Sequence, residues 1–187
     1  YKGRQYSGYA NLIYQQELGL SDENYFKVGA SCQIDSVNEN VQSITVRPRI
    51  NRFLEIVPGI FSEFTHSTEK WGVIAGVRGD YSTFYNNYFL TPRLHLRHSF
   101  DNETALKIMA GSGRRTPYML MENISYMASS RSWIMDTTLY GIQGLMNDVG
   151  QEYSWNIGLA ILKEFTLFNR EGTLTIDAYH TYFENQL

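Results

Sequence analysis

The strongest constraint on the fold is an alternation of apolar and polar residues with a period of two. Between residues 90 and 99 the even positions are mostly apolar and the odd positions are polar or charged. Such alternation is typical of a β-strand with two different faces. The sequence contains eight such runs and no comparable helical period. The pattern predicts an all-β chain with strands near 6–17, 23–36, 52–66, 69–81, 88–99, 104–115, 152–165 and 172–184.

The same alternation assigns side chains to two faces of the predicted sheet. One face should be apolar, and its clearest members are Phe26, Leu94, Leu96, Leu106, Ile108 and Ile176. The opposite, concave face should carry the polar set Lys27, Arg93, Arg97, Lys107 and Asp177. Because the side-chain period of a strand is two, a slip of one residue would exchange every assignment.

The linkers between the runs alternate in length. Short segments rich in turn-forming residues lie at 19–24, 66–70, 100–103 and 169–172, whereas the interleaved linkers, 37–52, 82–88 and 116–151, are longer. Transmembrane β-barrels have tight turns on one side of the membrane and long loops on the other. The runs also match the roughly 9–11 residues of a tilted membrane-spanning strand. We therefore expect an antiparallel meander of about eight long strands, part of a transmembrane β-barrel with its apolar face towards lipid.

Composition excludes several other classes of protein. The chain has 187 residues, with 16 basic against 19 acidic residues, so it is not a basic nucleic-acid-binding protein. Its single cysteine, Cys32, excludes an intrachain disulfide framework and any multi-cysteine metal site. No apolar stretch is long enough for a transmembrane helix. A soluble β-sandwich or β-barrel with one wet face is the remaining structural alternative, and the strand lengths and alternating linkers argue against it.

Several segments together resemble the barrel of TonB-dependent outer-membrane receptors, most closely those of the Bacteroides group. The principal motifs are GVRGD at 76–80, FLTPRLHLR at 89–97, GSGRRTP at 111–117 and Glu122-Asn123. Further matches lie at 10–14, 57–61, 128–131 and 183–186. The resemblance covers essentially the whole chain. It implies an outer-membrane location and TonB-driven import of a scarce nutrient, most commonly a ferric siderophore, through capture by extracellular loops.

The resemblance also implies that the sequence is one part of a larger barrel. Barrels of this family have about 22 strands, whereas this sequence supplies about eight and contains nothing that reads as a plug domain or a TonB box. We therefore expect a partial barrel over residues 1–187, forming an open, curved sheet whose first and last strands do not pair. The alternative is a complete eight-stranded outer-membrane barrel with a structural or adhesive role, in which residues 6–17 and 172–184 would pair.

Candidate ligand-binding residues lie where strands should leave the membrane on the extracellular side. The candidates are Arg78, Asp80, Arg114, Arg115, Tyr118, Glu122 and Trp133. Paired guanidinium groups at 114 and 115 suit an anionic ligand, although contact with lipopolysaccharide phosphates or a solvated rim is the alternative. The segment 116–151 is rich in aromatic residues and methionines and could cover a large amphiphilic ligand.

No other group of residues in the sequence predicts a metal site, a cofactor site or catalysis. The histidines are His66, His95, His98 and His180, and none lies in the 116–151 segment where haem-uptake receptors carry one. The sequence has no zinc or calcium spacing, phosphate-binding loop or nucleophile motif, so neither a metal, a cofactor nor enzymatic activity is expected. The expected partners are a small ligand such as an iron chelate, the lipid bilayer, lipopolysaccharide, and TonB through a plug domain, but not nucleic acid.

Overall fold

We describe the fold from a computed structural model of the chain, which describes residues 2–19, 24–41, 49–117 and 150–185. These residues form eight β-strands: β1 (Lys2–Glu17), β2 (Tyr25–Val41), β3 (Arg49–Ser67), β4 (Trp71–Ser82), β5 (Asn87–Ser99), β6 (Thr104–Arg115), β7 (Glu152–Leu167) and β8 (Arg170–Asn185). Within the described residues, no helix is long and apolar enough to cross a membrane.

The eight strands form one antiparallel sheet in the order of the chain. Each strand pairs with its neighbour in sequence, from β1 with β2 to β7 with β8. The predicted all-β meander is therefore confirmed. Strands β1 and β8 are the two edges of the sheet. This is the open arrangement expected of a partial barrel, and it contradicts the closed eight-stranded alternative.

The connections between strands lie at the two ends of the strands, which we call the turn edge and the loop edge. At the turn edge, residues 18–24, 68–70, 100–103 and 168–169 join the strands; at the loop edge, residues 42–48, 83–86 and 116–151 join them. The linkers predicted near 37–52 and 82–88 are shorter in the structure, at 42–48 and 83–86. Strands β2 and β3 stay paired up to Val41 and Arg49, and β4 continues to Ser82. The polar residues of 37–40, which look like a loop in the sequence, are held in the ladder because Val37 and Phe53 pack opposite each other in the same sheet.

The register confirms both predicted sets of side chains, because directly opposite residues share a face of the sheet. On the apolar face, Phe26 lies opposite Phe64, Phe64 opposite Ala75, and Ala75 opposite Leu94. One step along, on the polar face, Lys27 lies opposite Glu63, Glu63 opposite Gly76, and Gly76 opposite Arg93. Two further rows run through the later strands: Leu106–Ile161–Ile176 on the apolar face, and Arg97–Lys107–Ala160–Asp177 on the polar face.

Burial is inverted relative to a soluble sheet protein. On the apolar face Leu12, Ile60 and Leu90 are 76%, 71% and 62% exposed. The polar face near the loop edge instead buries carboxylates, with Asp35 and Glu55 only 6% and 3% exposed. A soluble β-sandwich would bury its apolar face against a second layer. The exposure pattern therefore favours a barrel wall whose apolar face meets lipid.

Candidate functional site

Strand β4 places three polar side chains on the polar face at the loop edge. Arg78, Asp80 and Ser82 occupy alternate positions, so they project from the same side of the strand. Asp80 lies opposite Gly59 of β3 on one side and opposite Phe89 of β5 on the other. The GVRGD motif therefore delivers its charged residues to the centre of a three-strand surface.

Asp80 is the centre of a charged cluster. Its carboxylate accepts hydrogen bonds from Nε of Arg78 at 3.0 and 2.8 Å, and Nη2 of Arg78 lies 2.7 Å from Oδ1. Nη2 of Arg114 lies 3.8 Å from Oδ2. The side chain of Asp80 is only 5% exposed, whereas that of Arg78 is 31% exposed. Asp80 thus faces two guanidinium groups, of which Arg78 is the more exposed to solvent.

The close approach of Asp80 to β3 requires a glycine at position 59. A Cβ added to Gly59 would overlap the carboxylate of Asp80 and would lie 2.9 Å from Nη2 of Arg78. Nη2 of Arg78 also donates to Oγ of Ser31 on β2 at 2.7 Å. The cluster therefore spans β2, β3 and β4, and the glycine provides its space.

Arg114 joins this cluster from β6. Its Cζ lies 3.4 Å from the centre of the Phe89 ring, a cation–π contact. Strict alternation from Lys107 would place Arg114 on the apolar face. However, β6 pairs with β5 only up to Gly111 and Arg93, and beyond that point it pairs with β7 alone. The Arg114 side chain reaches Asp80 and Phe89 in the region where β5 and β6 are no longer paired.

The two adjacent arginines have different surroundings. Arg115 pairs with Glu152 of β7, with Nε 2.9 Å and Nη2 2.7 Å from Oε2, and its side chain is 56% exposed. The structure therefore brings together Arg78, Asp80 and Arg114, while Arg115 lies beside them at the rim. The remaining sequence candidates, Tyr118, Glu122 and Trp133, lie outside the described residues.

A second set of contacts links the base of the 116–151 segment to β3. The buried carboxylate of Glu55 accepts hydrogen bonds from Oγ of Ser82 and, at 3.0 Å, from Oγ1 of Thr116. Nε2 of Gln151 donates to Thr116 at 3.2 Å, and Nη1 of Arg114 donates to Oε1 of Gln151 at 3.1 Å. Both ends of the segment are thus joined to the sheet and, through Arg114, to the charged cluster.

Sequence reasoning missed most of these supporting residues. It gave no individual role to Glu55, Gly59, Ser82 or Phe89. Arg78, Asp80 and Ser82 occupy alternate positions of one strand, and this alternation could have identified Ser82 as a third polar residue on the same face. The contact of Glu55 with Thr116 has no local signal, because the two residues are 61 positions apart.

Farther from the loop edge, the polar face carries another ion-pair cluster. Glu63 accepts from Nζ of Lys27 at 3.2 Å and from Nη2 of Arg93 at 2.5 Å. A cavity of about 300 Å³ lies between this cluster and Arg78, with Tyr9 on its wall. The described residues contain no group of three or more His, Cys, Asp and Glu side chains that could hold a metal ion.

Comparison with known proteins shows which family and which solved structures this chain resembles. The family model described as TonB dependent receptor-like, beta-barrel matches residues 2–187. No curated protein matches the sequence.

Among solved structures, a mutant ferric enterobactin receptor from Pseudomonas aeruginosa superposes with a TM-score of 0.68 at 16% identity, over 100% of this chain and 28% of that one. The siderophore receptor PirA from Pseudomonas aeruginosa gives 0.56 at 18% identity, over 96% of this chain and 31% of that one. The copper transporter OprC gives 0.51 at 13% identity, over 99% and 36%.

The family match and the lengths of the connections indicate how the sheet lies in the membrane. The chain spans 28% of the length of the ferric enterobactin receptor chain, so its eight strands correspond to part of such a barrel wall. The wall lies in the outer membrane, with its apolar face towards lipid and its polar face towards the barrel interior. Because outer-membrane barrels have short periplasmic turns, the loop edge is the extracellular edge. The narrower resemblance to Bacteroides receptors stays a prediction. The chain belongs to the TonB-dependent receptor β-barrel family.

Proposed function

We propose that residues 1–187 are part of the barrel of an outer-membrane uptake receptor, and that this receptor imports a ferric siderophore or a similarly scarce anionic chelate. The family match supports uptake across the outer membrane. Two of the similar solved structures are a ferric enterobactin receptor and a siderophore receptor, which favours an iron chelate over other nutrients.

The observation that carries this proposal is the Arg78–Asp80–Arg114 cluster beneath the extracellular edge. A buried carboxylate holds both guanidinium groups in place, so they are oriented before any ligand arrives. Arginine presents several N–H donors in one plane and suits carboxylate or phenolate oxygens. The exposed part of Arg78 would offer charged N–H donors to an anionic chelate entering from outside.

The rest of the capture surface belongs to the 116–151 segment. We assign Tyr118, Glu122 and Trp133 to it as proposed ligand contacts, with Arg115 at the rim. The Glu55 contacts hold Thr116 and Gln151 against the sheet, so the segment starts and ends beside the charged cluster.

The proposal includes partners outside these residues. Further strands would complete the barrel on the free edges of β1 and β8, because hydrocarbon offers no hydrogen-bonding partner to an open sheet edge. A plug domain would fill the interior and couple ligand release to TonB. Energy coupling is thus assigned to other parts of the receptor, and these residues contribute capture.

Radiolabelled iron uptake tests the proposed function. A strain lacking the receptor gene should lose uptake from one or more of a panel of ferric chelates, and the intact gene should restore it. The variant Arg78→Gln/Arg114→Gln should lower the apparent affinity about ten- to a hundredfold, as expected for lost charged hydrogen bonds. The matched control, Lys163→Gln, removes a half-exposed cation of the turn edge and should leave uptake unchanged.

Two outcomes would contradict the proposal. If deleting the gene abolished uptake of copper or another nutrient but of no ferric chelate, the ligand class would be wrong. If the double arginine variant, shown to be present in the outer membrane, took up its chelate with normal affinity, the site assignment would be wrong.

A further inference from the structure

The polar face carries a further pair of cations near the turn edge. Arg97 of β5 lies directly opposite Lys107 of β6, so both side chains project from the interior face of the wall. Arg97 lies two residues before the end of β5, and Lys107 lies three residues after the start of β6. Both residues are exposed. Two positive charges therefore face each other at the periplasmic end of the barrel interior.

This pair differs from the other interior cations because no carboxylate balances it. Each of the two clusters described above places two cations on one carboxylate. In the part of the chain that the structure describes, the side chains of Arg97 and Lys107 make no ion pair and no hydrogen bond. Asp177 lies in the same row, but Ala160 of β7 separates it from Lys107, and two strand spacings are about 10 Å. Like charges that lie directly opposite each other destabilise a sheet unless something neutralises them.

A hollow of about 210 Å³ lies beside the two cations. Its lining includes Ser67, Gly72, Arg97 and Lys107, which form one row across β3–β6 on the polar face. A Cβ added to Gly72 would lie 3.6 Å from the Cβ of Arg97, so the glycine leaves space beside the arginine stem. The volume is below the roughly 300–1,000 Å³ of pockets that hold drug-sized ligands. The hollow therefore suits a small ligand, or one group of a larger ligand.

A buried hydroxyl without a partner lines the same hollow. Thr65 of β3 is 7% exposed, and its Oγ1 has no hydrogen-bond partner among the residues that the structure describes. Thr65 lies opposite Ile74, and Ile74 lies opposite His95, which also lines the hollow. A buried hydroxyl that stays unpaired loses the hydrogen bonds that it makes with water in the unfolded chain. The orphaned hydroxyl is thus independent evidence that a polar group belongs in the hollow.

The chemistry of these groups selects an oxyanion as the occupant. Arg97 and Lys107 supply charged N–H donors and no acceptor, and the hydroxyl of Thr65 can donate as well. Among the described residues that line the hollow, none is Asp or Glu, so a metal cation would meet only positive charges. A phosphate or carboxylate group accepts several charged hydrogen bonds at once and would neutralise the facing cations.

We propose that this hollow is an oxyanion-binding site at the periplasmic end of the barrel interior. It holds one phosphate or carboxylate group between Arg97 and Lys107, with Thr65 as a further donor. The site is separate from the capture cluster and from the Glu63 cluster, because Arg97 lies four residues beyond Arg93 on β5, about 13 Å closer to the turn edge. Two sources can supply the group: dissolved inorganic phosphate, and a carboxylate-bearing organic chelate.

Anion binding by the purified full-length receptor tests the proposal. Receptor in mild detergent at low ionic strength is dialysed to equilibrium against radiolabelled inorganic phosphate, and the bound phosphate is counted per molecule. Arg97→Gln/Lys107→Gln should lower the affinity for phosphate about tenfold or more, because it removes two charged donors. Thr65→Val should lower it about two- to tenfold, because it removes one neutral donor. Added phosphate should also raise the thermal unfolding midpoint of the wild type, but not that of the arginine–lysine variant.

Unlabelled citrate, added to the phosphate-loaded receptor, distinguishes the two sources. Displacement of phosphate by citrate would show that the site accepts the carboxylates of an organic chelate. Phosphate that citrate does not displace would identify the dissolved inorganic anion as the occupant. Both results support the site, and neither depends on which nutrient the receptor imports.

Matched controls come from the same edge of the sheet. Lys163→Gln/Arg170→Gln removes one lysine and one arginine whose partners across the β7–β8 ladder, Leu174 and Leu167, belong to the apolar face. This variant should bind phosphate as the wild type does, and so should Thr65→Ser, which keeps the hydroxyl. Compact migration of the unheated protein in detergent gels shows that each variant is folded. If Thr65→Val does not fold, the variant of the two exposed cations still decides.

Three results would overturn the proposal. The first is a wild-type receptor that binds no phosphate, since its two cations would then be occupied by another part of the receptor. The second is wild-type affinity for phosphate in Arg97→Gln/Lys107→Gln. The third is an equal loss of phosphate binding in Lys163→Gln/Arg170→Gln, since the anion would then be attracted by the net charge of the edge rather than held in the hollow.

Discussion

The turn edge and the loop edge of this sheet are stabilised by different kinds of contact. At the turn edge, Asp101 accepts hydrogen bonds from the backbone N–H groups of Glu103 and Thr104, at 2.8 and 2.6 Å. At the loop edge, Thr116 donates to Glu55, 61 positions away, and Tyr85 donates to the carbonyl of Gly150, 65 positions away. Contacts within a turn or between neighbouring strands, such as Lys163 with Glu103, hold the turn edge, whereas contacts between strands that are not neighbours shape the loop edge. The difference predicts that changes at the loop edge will affect ligand capture and that changes at the turn edge will not.

The largest effect is expected from removing residues 119–148, which lie outside the described residues, in the intact receptor. High-affinity ligand binding should be abolished while the barrel still assembles, because the strand pairing on both sides of the segment does not depend on it. Binding of the transported ligand to cells and compact gel migration measure the two properties. As a control, shortening the 18–24 turn should leave capture unchanged. A folded, loop-deleted receptor that bound and imported its ligand normally would disprove this site assignment.

The edges also differ in how far the sequence predicted them. The alternation of residues predicted all eight strands and both faces, since each side chain's face depends only on its own strand. The turn edge was also predicted, because its turn formers are local signals. The loop edge was predicted poorly: 37–52 and 82–88 were expected to be longer linkers, although Glu39 and Ser82 are buried strand residues.

The site shows the same limit. Motifs pointed to Arg78, Asp80 and Arg114, and these three residues do lie together. Their contacts with Gly59 and Phe89 join four strands. The alternation of residues along one strand does not show which residues of distant strands come into contact. The departure of Arg114 from strict alternation likewise depends on where β5 and β6 separate, which is a property of the sheet rather than of β6.

A pair of glycine substitutions sharpens the comparison. Gly59→Ala should displace the Asp80 carboxylate and disorder Arg78, which would destabilise the barrel by about 1–3 kcal/mol through overpacking and weaken ligand binding. Gly72→Ala at the turn edge adds a Cβ 3.6 Å from Arg97, an ordinary contact, and should be close to neutral. Urea unfolding in detergent and ligand affinity measure the two effects. Equal losses of stability and of ligand affinity in both variants would show that the absence of a side chain at Gly59 has no special role.

A comparable effect on stability is expected at the loop edge, and a smaller one at the turn edge, from removing one carboxylate at each. Glu55→Ala leaves the hydroxyls of Ser82 and Thr116 without their buried acceptor, at a cost of about 1–3 kcal/mol in the free energy of unfolding. Glu103→Ala removes an exposed ion pair with Lys163 and should cost about 0–1 kcal/mol. Glu55→Gln, which keeps one acceptor oxygen, should recover part of the loss. A Glu55→Ala variant as stable as Glu103→Ala would mean that the Glu55 contacts do not hold the base of the segment.

The smallest effect is a pH dependence at the turn edge. Hydrogen bonds from the backbone of Glu103 and from Thr104 lower the pKa of Asp101 below its ordinary value. The unfolded chain therefore binds the proton more readily, and the stabilisation from Asp101 is fully present above the unfolded pKa of about 3.9. It declines below that pH and is lost once the pH falls through the lower folded pKa.

Asp101→Asn should thus be slightly less stable than wild type at pH 7, and the difference should vanish in strong acid. Urea unfolding of both proteins in detergent between pH 7 and pH 2 measures it, with Glu69→Gln, an exposed carboxylate of the 68–70 turn, as the charge control. Ligand affinity at pH 7 should be equal in all three proteins, because the turn lies at the periplasmic edge. A clear loss of affinity in Asp101→Asn would show that the two edges are coupled through the wall, and the distinction between a capture edge and a turn edge would then fail.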